Sequence, residues 1–425
     1  MTSTNMARLL VLFVTAFVDM VGLAMIVPIL PFYATNFGAS AAVVGLLISS
    51  FSIAQLLVAP VWGRFSDRYG RRPAILAGLL VTAVAYVLFG FAGSVWTLLA
   101  SRIVQGLGGG TIGVVQAYVA DASTPEQRTK SLGWLSAVTS LGAVVGPAFG
   151  SLMVALGGQK LPGLAAAALS VLVAAFAWRY LRESREMRLS ESHHAPSTTT
   201  GRAAIAHVLS HWHEPAPRLI WIYAVAIGAF YGTIQTVPLL LKARLGITEQ
   251  NVGFFVMYLG GMGVIIRALI LGRVVDWLGE ARLSRVGLVL LGGGLVLTGL
   301  AHGLPVLLVG FTLMPLGTAF LFPCVTGLLS RVVRAGERGL YMGVQHTFGG
   351  ISRVAFPIAS GILMDHTDVG VPFLGAGLLV FLTIPLARRI MTVPEPEVQP
   401  EVLLSAADIT GEIPIPSLQD TPNRS

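Results

Sequence analysis

Long apolar runs separated by short polar gaps fill most of this chain. Twelve runs stand out, at about 8–33, 42–62, 74–92, 96–120, 131–155, 161–181, 219–241, 250–271, 284–301, 304–330, 340–364 and 370–390. A helix needs about 20 apolar residues to cross the hydrocarbon of a bilayer. Backbone groups find no water there, so runs of this length predict α-helices. The expected fold class is an all-α integral membrane protein with twelve transmembrane helices. The first run, from Leu9 to about Ala34, exceeds a signal-peptide core and lacks a small-residue cleavage site. It reads as a permanent span.

The gaps carry a one-sided charge. An even number of crossings puts both termini on one face. Arg8, the loop 63–73, Arg128, Lys130 and the stretches 179–218, 273–285, 331–338 and 388–389 fall on that face. Only Lys160, Lys242 and Arg244 fall on the other. Basic loops stay in the cytoplasm, so both termini are expected there, in a cell (inner or plasma) membrane. Residues 182–218 form the longest gap and read as a cytoplasmic linker. A short amphipathic surface helix is expected near 202–212. From 394 to 425 the chain is rich in Pro and Glu without periodicity, which predicts a disordered tail.

Two clusters of residues recur at nearly one offset. Gly63, Arg64, Asp67 and Gly70 return as Gly272, Arg273, Asp276 and Gly279, 209 positions later. Arg128, Gly133 and Pro147 return as Arg338, Gly343 and Pro357, 210 positions later. The repeat implies two parallel six-helix bundles, 1–181 and 219–393, with a substrate site near the midplane between them.

Composition narrows the function classes. The chain is 54% hydrophobic and 11% charged, whereas soluble domains carry about 25% charged residues. The net charge of +8 is accounted for by topology, so no nucleic-acid partner is expected. The single cysteine, Cys324, lies in a span. Histidines 193, 194, 207, 211 and 213 collect in the linker without cysteines or a carboxylate pattern, so no metal site is expected. No nucleotide-binding loop or nucleophile motif is present outside a span, and neither an enzyme nor a cofactor is expected.

Several polar residues sit at membrane depth, where they are costly and often functional. Asp19, mid-way along span one, either loads and releases a proton or stays neutral between helices. Arg102 remains charged and needs a partner, a wet cavity or a route to the interface, with Gln105 one turn away on the same face. His346 in span eleven titrates near neutrality and either assists proton movement or packs between helices. Arg353 either neutralises an anionic substrate or pairs with a distant acid. Gln105, Gln116, Tyr231, Gln235, Phe320 and Gln345 are the other candidates for the cavity wall. Gly142, Gly146 and Gly150 form a stripe for close helix packing around Pro147 in span five. They are expected to make a hinge or seal between the halves.

These segments resemble a known family. "GRFSDRYGRRP" (63–73) is similar to the signature loop of the major facilitator superfamily, and "SRIVQGLGGG" (101–110) to its span-four motif. "LGAVVGPAFGS" (141–151) resembles the span-five motif of drug:proton antiporters, and "FVDMVGLAMIVPILP" (17–31) resembles span one of tetracycline and multidrug exporters. The resemblance implies the twelve-helix major facilitator fold and a role for Arg102 in proton coupling. It implies a latch of Gly63, Asp67, Arg71 and Asp121, in which Asp67 meets the N-terminus of span eleven and Arg71 pairs with Asp121, locking the outward-open state.

The leading expectation is a monomeric, proton-coupled exporter of small amphiphilic compounds, with the substrate, protons and lipid as its partners. A nutrient importer or symporter on the same fold is the alternative, and a membrane receptor that moves nothing is a third.

Overall fold

The computed structural model describes residues 3–181, 183, 201–334 and 337–388. Most of the linker, with His193 and His194, and the tail from 394 lie outside the described residues.

Every expected span is helical. Span one consists of α1 (Ser3–Ile26) and α2 (Leu30–Asn36), followed by α3 (Ala41–Tyr69) and α4 (Arg71–Gly90). Span four divides into α5 (Val95–Gly109) and α6 (Ile112–Asp121). Helices α7 (Pro125–Gly157) and α8 (Lys160–Tyr180) complete the first half. The linker helix is α9 (Gly201–Ser210). Span seven is α10 (Pro215–Ile234) with α11 (Val237–Leu245), and span eight is α12 (Val252–Leu269) with α13 (Leu271–Leu278). Then come α14 (Glu280–Leu300), α15 (Leu304–Val332) and α16 (Arg338–His366), and finally α17 (Val371–Leu382) with α18 (Ile384–Arg388). Among the described residues, eleven segments have the length and apolarity to cross a membrane. The twelfth, Val371–Ala387, is shorter.

Local chemistry sets the helix ends. Ser40 and Ser94 accept hydrogen bonds from Val43 N and Thr97 N, capping α3 and α5. Proline occupies the first turn of α7, α10, α15 and α17, where its missing N–H costs nothing. The repeated Gly70 and Gly279 end α3 and α13 with φ of 109° and 74°. Side chains rarely adopt such angles, which is why both copies keep glycine there.

Within the first half, α1 packs on α7 and α8, and α4 on α5 and α8. Within the second, α14 packs on α15 and α17, and α10 on α16. Three pairs join the halves, chiefly α3 with α16 and α7 with α12, and more sparingly α2 with α11. These joints are uneven along their length. Away from the 63–73 loop, backbones touch: a Cβ on Gly45 would overlap the Pro357 carbonyl, one on Gly361 that of Ala41, and one on Gly253 that of Pro147. Near the loop face, Gly63, Gly133, Gly272, Gly339 and Gly343 have no atom within 4 Å of a Cβ position. The halves are sealed at the face opposite the loop and part toward the loop face.

Polar contacts reinforce the sealed end. Asp365, one residue before the end of α16, accepts from Ala41 N at 2.7 Å and Ala42 N at 2.9 Å, at the start of α3. Ser49 Oγ donates to the Val354 carbonyl at 2.7 Å. Ser151 Oγ donates to the Glu249 carbonyl at 2.7 Å and accepts from Gly253 N at 2.9 Å.

Two expectations need correction. The Gly142, Gly146 and Gly150 stripe faces α1 within its own half, against the carbonyls of Phe17, Val21 and Met25. From the same segment it is Val144, Pro147 and Ser151 that meet the second half. Phe320 is buried with Ile266, Leu283, Ala319 and Cys324 and lines neither of the two cavities described below.

Candidate functional site

Two cavities adjoin at mid-membrane. The first, of about 670 Å³, is lined by Asp19, Thr111, Gln116, Ser136 and Thr139 among others. The second, of about 420 Å³, is lined by Gln55, Arg102, Tyr231, Gln235 and Arg353 among others. Met20, Ile112 and Thr139 line both, so a single layer of side chains separates them. The break between α5 and α6, at Gly110 and Thr111, lies beside this wall.

Arg102 is 2% exposed, although it belongs to the wall of the second cavity. Its Nη1 donates to Gln105 Oε1, and its guanidinium lies 4.9 Å from the centre of the Phe51 ring. An arginine cannot shed its charge, so the amide and the ring face supply the compensation. Its Nε has no hydrogen-bond partner among the described residues. The side chain turns into the protein rather than toward an interface. Gln105 holds Arg102 in place and is not part of the cavity wall.

Arg353 enters the second cavity from α16. Its guanidinium lies 4.9 Å from the centre of the Tyr231 ring, and its Nε also lacks a partner. Each half therefore contributes one arginine laid over an aromatic ring. Among the described residues, no carboxylate lies within ion-pair distance of either. His346 and Gln345 line neither cavity; His346 is exposed on α16, and Gln345 is 1% exposed.

Tyr86 on α4 was not among the candidates from sequence. It is 1% exposed, its ring lies against Gly22 of α1, and its hydroxyl meets the Gln105 side chain. Asp19, Gln105 and Arg102 all fall within electrostatic reach of that hydroxyl. Tyr86 thus stands between the acid and the arginine. Its only sequence signal is a tyrosine in an apolar run, which is also what a packing residue looks like.

At the loop face, Arg71 is the hub. It pairs with Asp67 at 3.0 Å and Asp121 at 3.3 Å, and donates to Ser66 Oγ at 2.6 Å. Asp67 here bonds Arg71, four residues along, while Gly63 has open space beside it. Glu183, just past α8, accepts from Arg71 N at 2.9 Å and Arg72 N at 3.2 Å. An acid at a helix N-terminus is favourable, and this cap on α4 was not foreseen. The linker helix α9 buries Ala204 and Val208 and packs on α10 and α16. His207 there contacts Tyr341 and Glu214, each at 3.2 Å.

Comparisons with known proteins agree with this architecture. The sequence model of the family described as "Major Facilitator Superfamily" matches residues 12–296 and 265–406. Multidrug resistance protein 1 of Bacillus subtilis (strain 168) is 29% identical over 381 residues, which cover 89% of this chain and 95% of that protein. The class B tetracycline resistance protein of Escherichia coli is 25% identical, covering 86% of this chain and 89% of that protein. Among solved structures, the human organic anion transporter MFSD10 (TETRAN) superposes with a TM-score of 0.63 at 22% identity. That match covers 90% of this chain and 99% of that one.

Proposed function

The chain belongs to the major facilitator superfamily, and on that premise we propose that it is a proton-coupled secondary transporter. It exports small amphiphilic compounds, drug-like or tetracycline-like molecules among them, by alternating access. The observation that carries the reading is Asp19. It is the sole acid lining either mid-membrane cavity, and a lone carboxylate at that depth suits reversible protonation better than fixed charge. The names of the relatives, multidrug resistance and tetracycline resistance proteins, support export.

In this proposal the halves 1–181 and 219–393 are the rocking units, joined by the 182–218 linker. The loop face, rich in arginine, is cytoplasmic, so the parted end opens inward. Outward opening then breaks the seal at Asp365 and closes the loop face. On closing, Asp67 leaves Arg71 for the N-terminus of α16, where the helix dipole favours its charge. Asp67, Arg71, Asp121 and Gly63 form the latch of that state. Arg102, with Tyr86 between them, relays the protonation of Asp19 to the substrate cavity.

The test is substrate movement in everted membrane vesicles carrying the full chain, with tetracycline and minocycline as probes. Accumulation should rise with an imposed pH gradient and collapse when the gradient is dissipated. Accumulation indifferent to the gradient would overturn proton coupling. Net uptake of the same probes by intact cells would favour the importer instead.

A further inference from the structure

The charges around the two cavities do not balance. Arg102 and Arg353 line the second cavity, Asp19 lines the first, and every other lining side chain is uncharged. With Asp19 ionised, one positive charge is left uncompensated at mid-membrane. A charge in that position needs a partner. Each guanidinium lies over a ring, Phe51 or Tyr231, and makes one side-chain hydrogen bond, Arg102 to Gln105 and Arg353 to Tyr223, which leaves further donors for a ligand. Each also has a buried Nε without an acceptor. Two guanidinium edges with unused donors, approaching one space from opposite halves, suit an oxyanion. The rest of that wall is largely apolar, with Met20, Leu23, Val27, Ile234 and Val256.

We infer that the second cavity is a site for amphiphilic organic anions. The acidic group, a carboxylate or sulfonate, lies between Arg102 and Arg353, and the apolar body lies against Leu23, Val27 and Ile234. One monoanion brings the region to neutrality while Asp19 is ionised. Because the arginines sit on α5 and α16, the anion bridges the two halves. The inference rests on the transporter reading and names its substrate class.

Three matched probes test it: 2-naphthoxyacetate, its primary amide, and 2-naphthoxyethylamine. They share the ring and the ether and differ only in charge. Binding to the purified full chain in detergent is measured by titration calorimetry. A charge-assisted hydrogen bond contributes about 1.5–3 kcal/mol, so the acid should bind about tenfold tighter than the amide, and the amine weakest. R353Q should bring the acid close to the amide, and R353K should restore part of the preference. Equal binding of the three, tightest binding by the amine, or no binding of the acid would overturn the inference. So would an unchanged acid preference in R353Q. The ranking in the unmodified chain decides even if a variant does not fold. No gradient is involved, so a failure here leaves proton coupling standing. A failure of coupling in vesicles likewise leaves the anion preference standing.

Discussion

Asp19 and Arg102 divide the site's chemistry between two cavities that share a wall. The acid lies in the larger space beside Gln116, and the arginine lies beyond Met20 and Ile112. Asp19→Asn removes the titrating group with little change of shape. That variant should still bind probe, but its accumulation in everted vesicles should no longer respond to a pH gradient. Tyr86→Phe deletes the hydroxyl between the two groups and should reduce gradient-driven accumulation severalfold, read in the same assay. At the sealed face, Asp368 accepts from Gly370 N at 2.8 Å and from Arg244. The Gly370 bond foremost, then Arg244, holds its carboxyl below the usual carboxylate range. A depressed value means that the contribution is present above the unfolded value of about 3.9 and is lost as pH falls through the lower, folded one. Thermal unfolding should therefore differ little between the native chain and Asp368→Asn. Any difference should vanish only at strongly acidic pH, since an exposed pair contributes under about 1 kcal/mol. The isolated charges in spans one, four and eleven were legible because charge at membrane depth is rare. Which aromatic or amide faces a cavity was not: Phe320 and Tyr231 look alike in sequence, and only tertiary packing sends one into the core.

Helices α3 and α16 run antiparallel as the main joint between the halves, and each carries an aspartate near its C-terminal end. Asp365 reaches the first amides of α3, while Asp67 lies two residues before the end of α3, at the loop face. One acid thus caps the partner helix at the sealed end, and the other is placed to do so at the parted end. Losing a side-chain cap costs about 1 kcal/mol, or about fivefold in an equilibrium. Asp365→Ala should shift the population toward opening at the sealed face by that factor. Spin labels at Asn36 and Thr248, in a Cys324→Ser background, would report the shift as a larger long-distance fraction. An unchanged distribution would mean that the seal rests on backbone packing alone. The spans were readable from apolar length, but their interruptions were not. Span one breaks after Ile26, next to Pro28, whereas Pro60, Pro147, Pro315, Pro323 and Pro357 lie inside unbroken helices. Neighbouring helices can satisfy a freed carbonyl, so a proline alone does not mark a break.

Across the whole molecule, the fold followed from the apolar pattern and the repeat, because each reports directly on the membrane and on duplication. The state of the carrier did not, because it depends on which ends of α3, α7, α12 and α16 meet. The loop 63–73 looks like an anchor by charge. In the folded chain its Arg71 ties the end of α3 to Asp121, while its Gly63 stands clear of the second half. That pairing of a sealed face with a parted one makes alternation the central claim, with Asp19 as its trigger. The most direct test places spin-label pairs at both faces of the Cys324→Ser chain in lipid nanodiscs, Tyr69 with Gly339 and Asn36 with Thr248. Distances are read at mildly acidic and mildly alkaline pH. The account predicts that one distance shortens as the other lengthens, and that Asp19→Asn removes the response. Distances that stay fixed, that move together, or that respond equally in Asp19→Asn would contradict it.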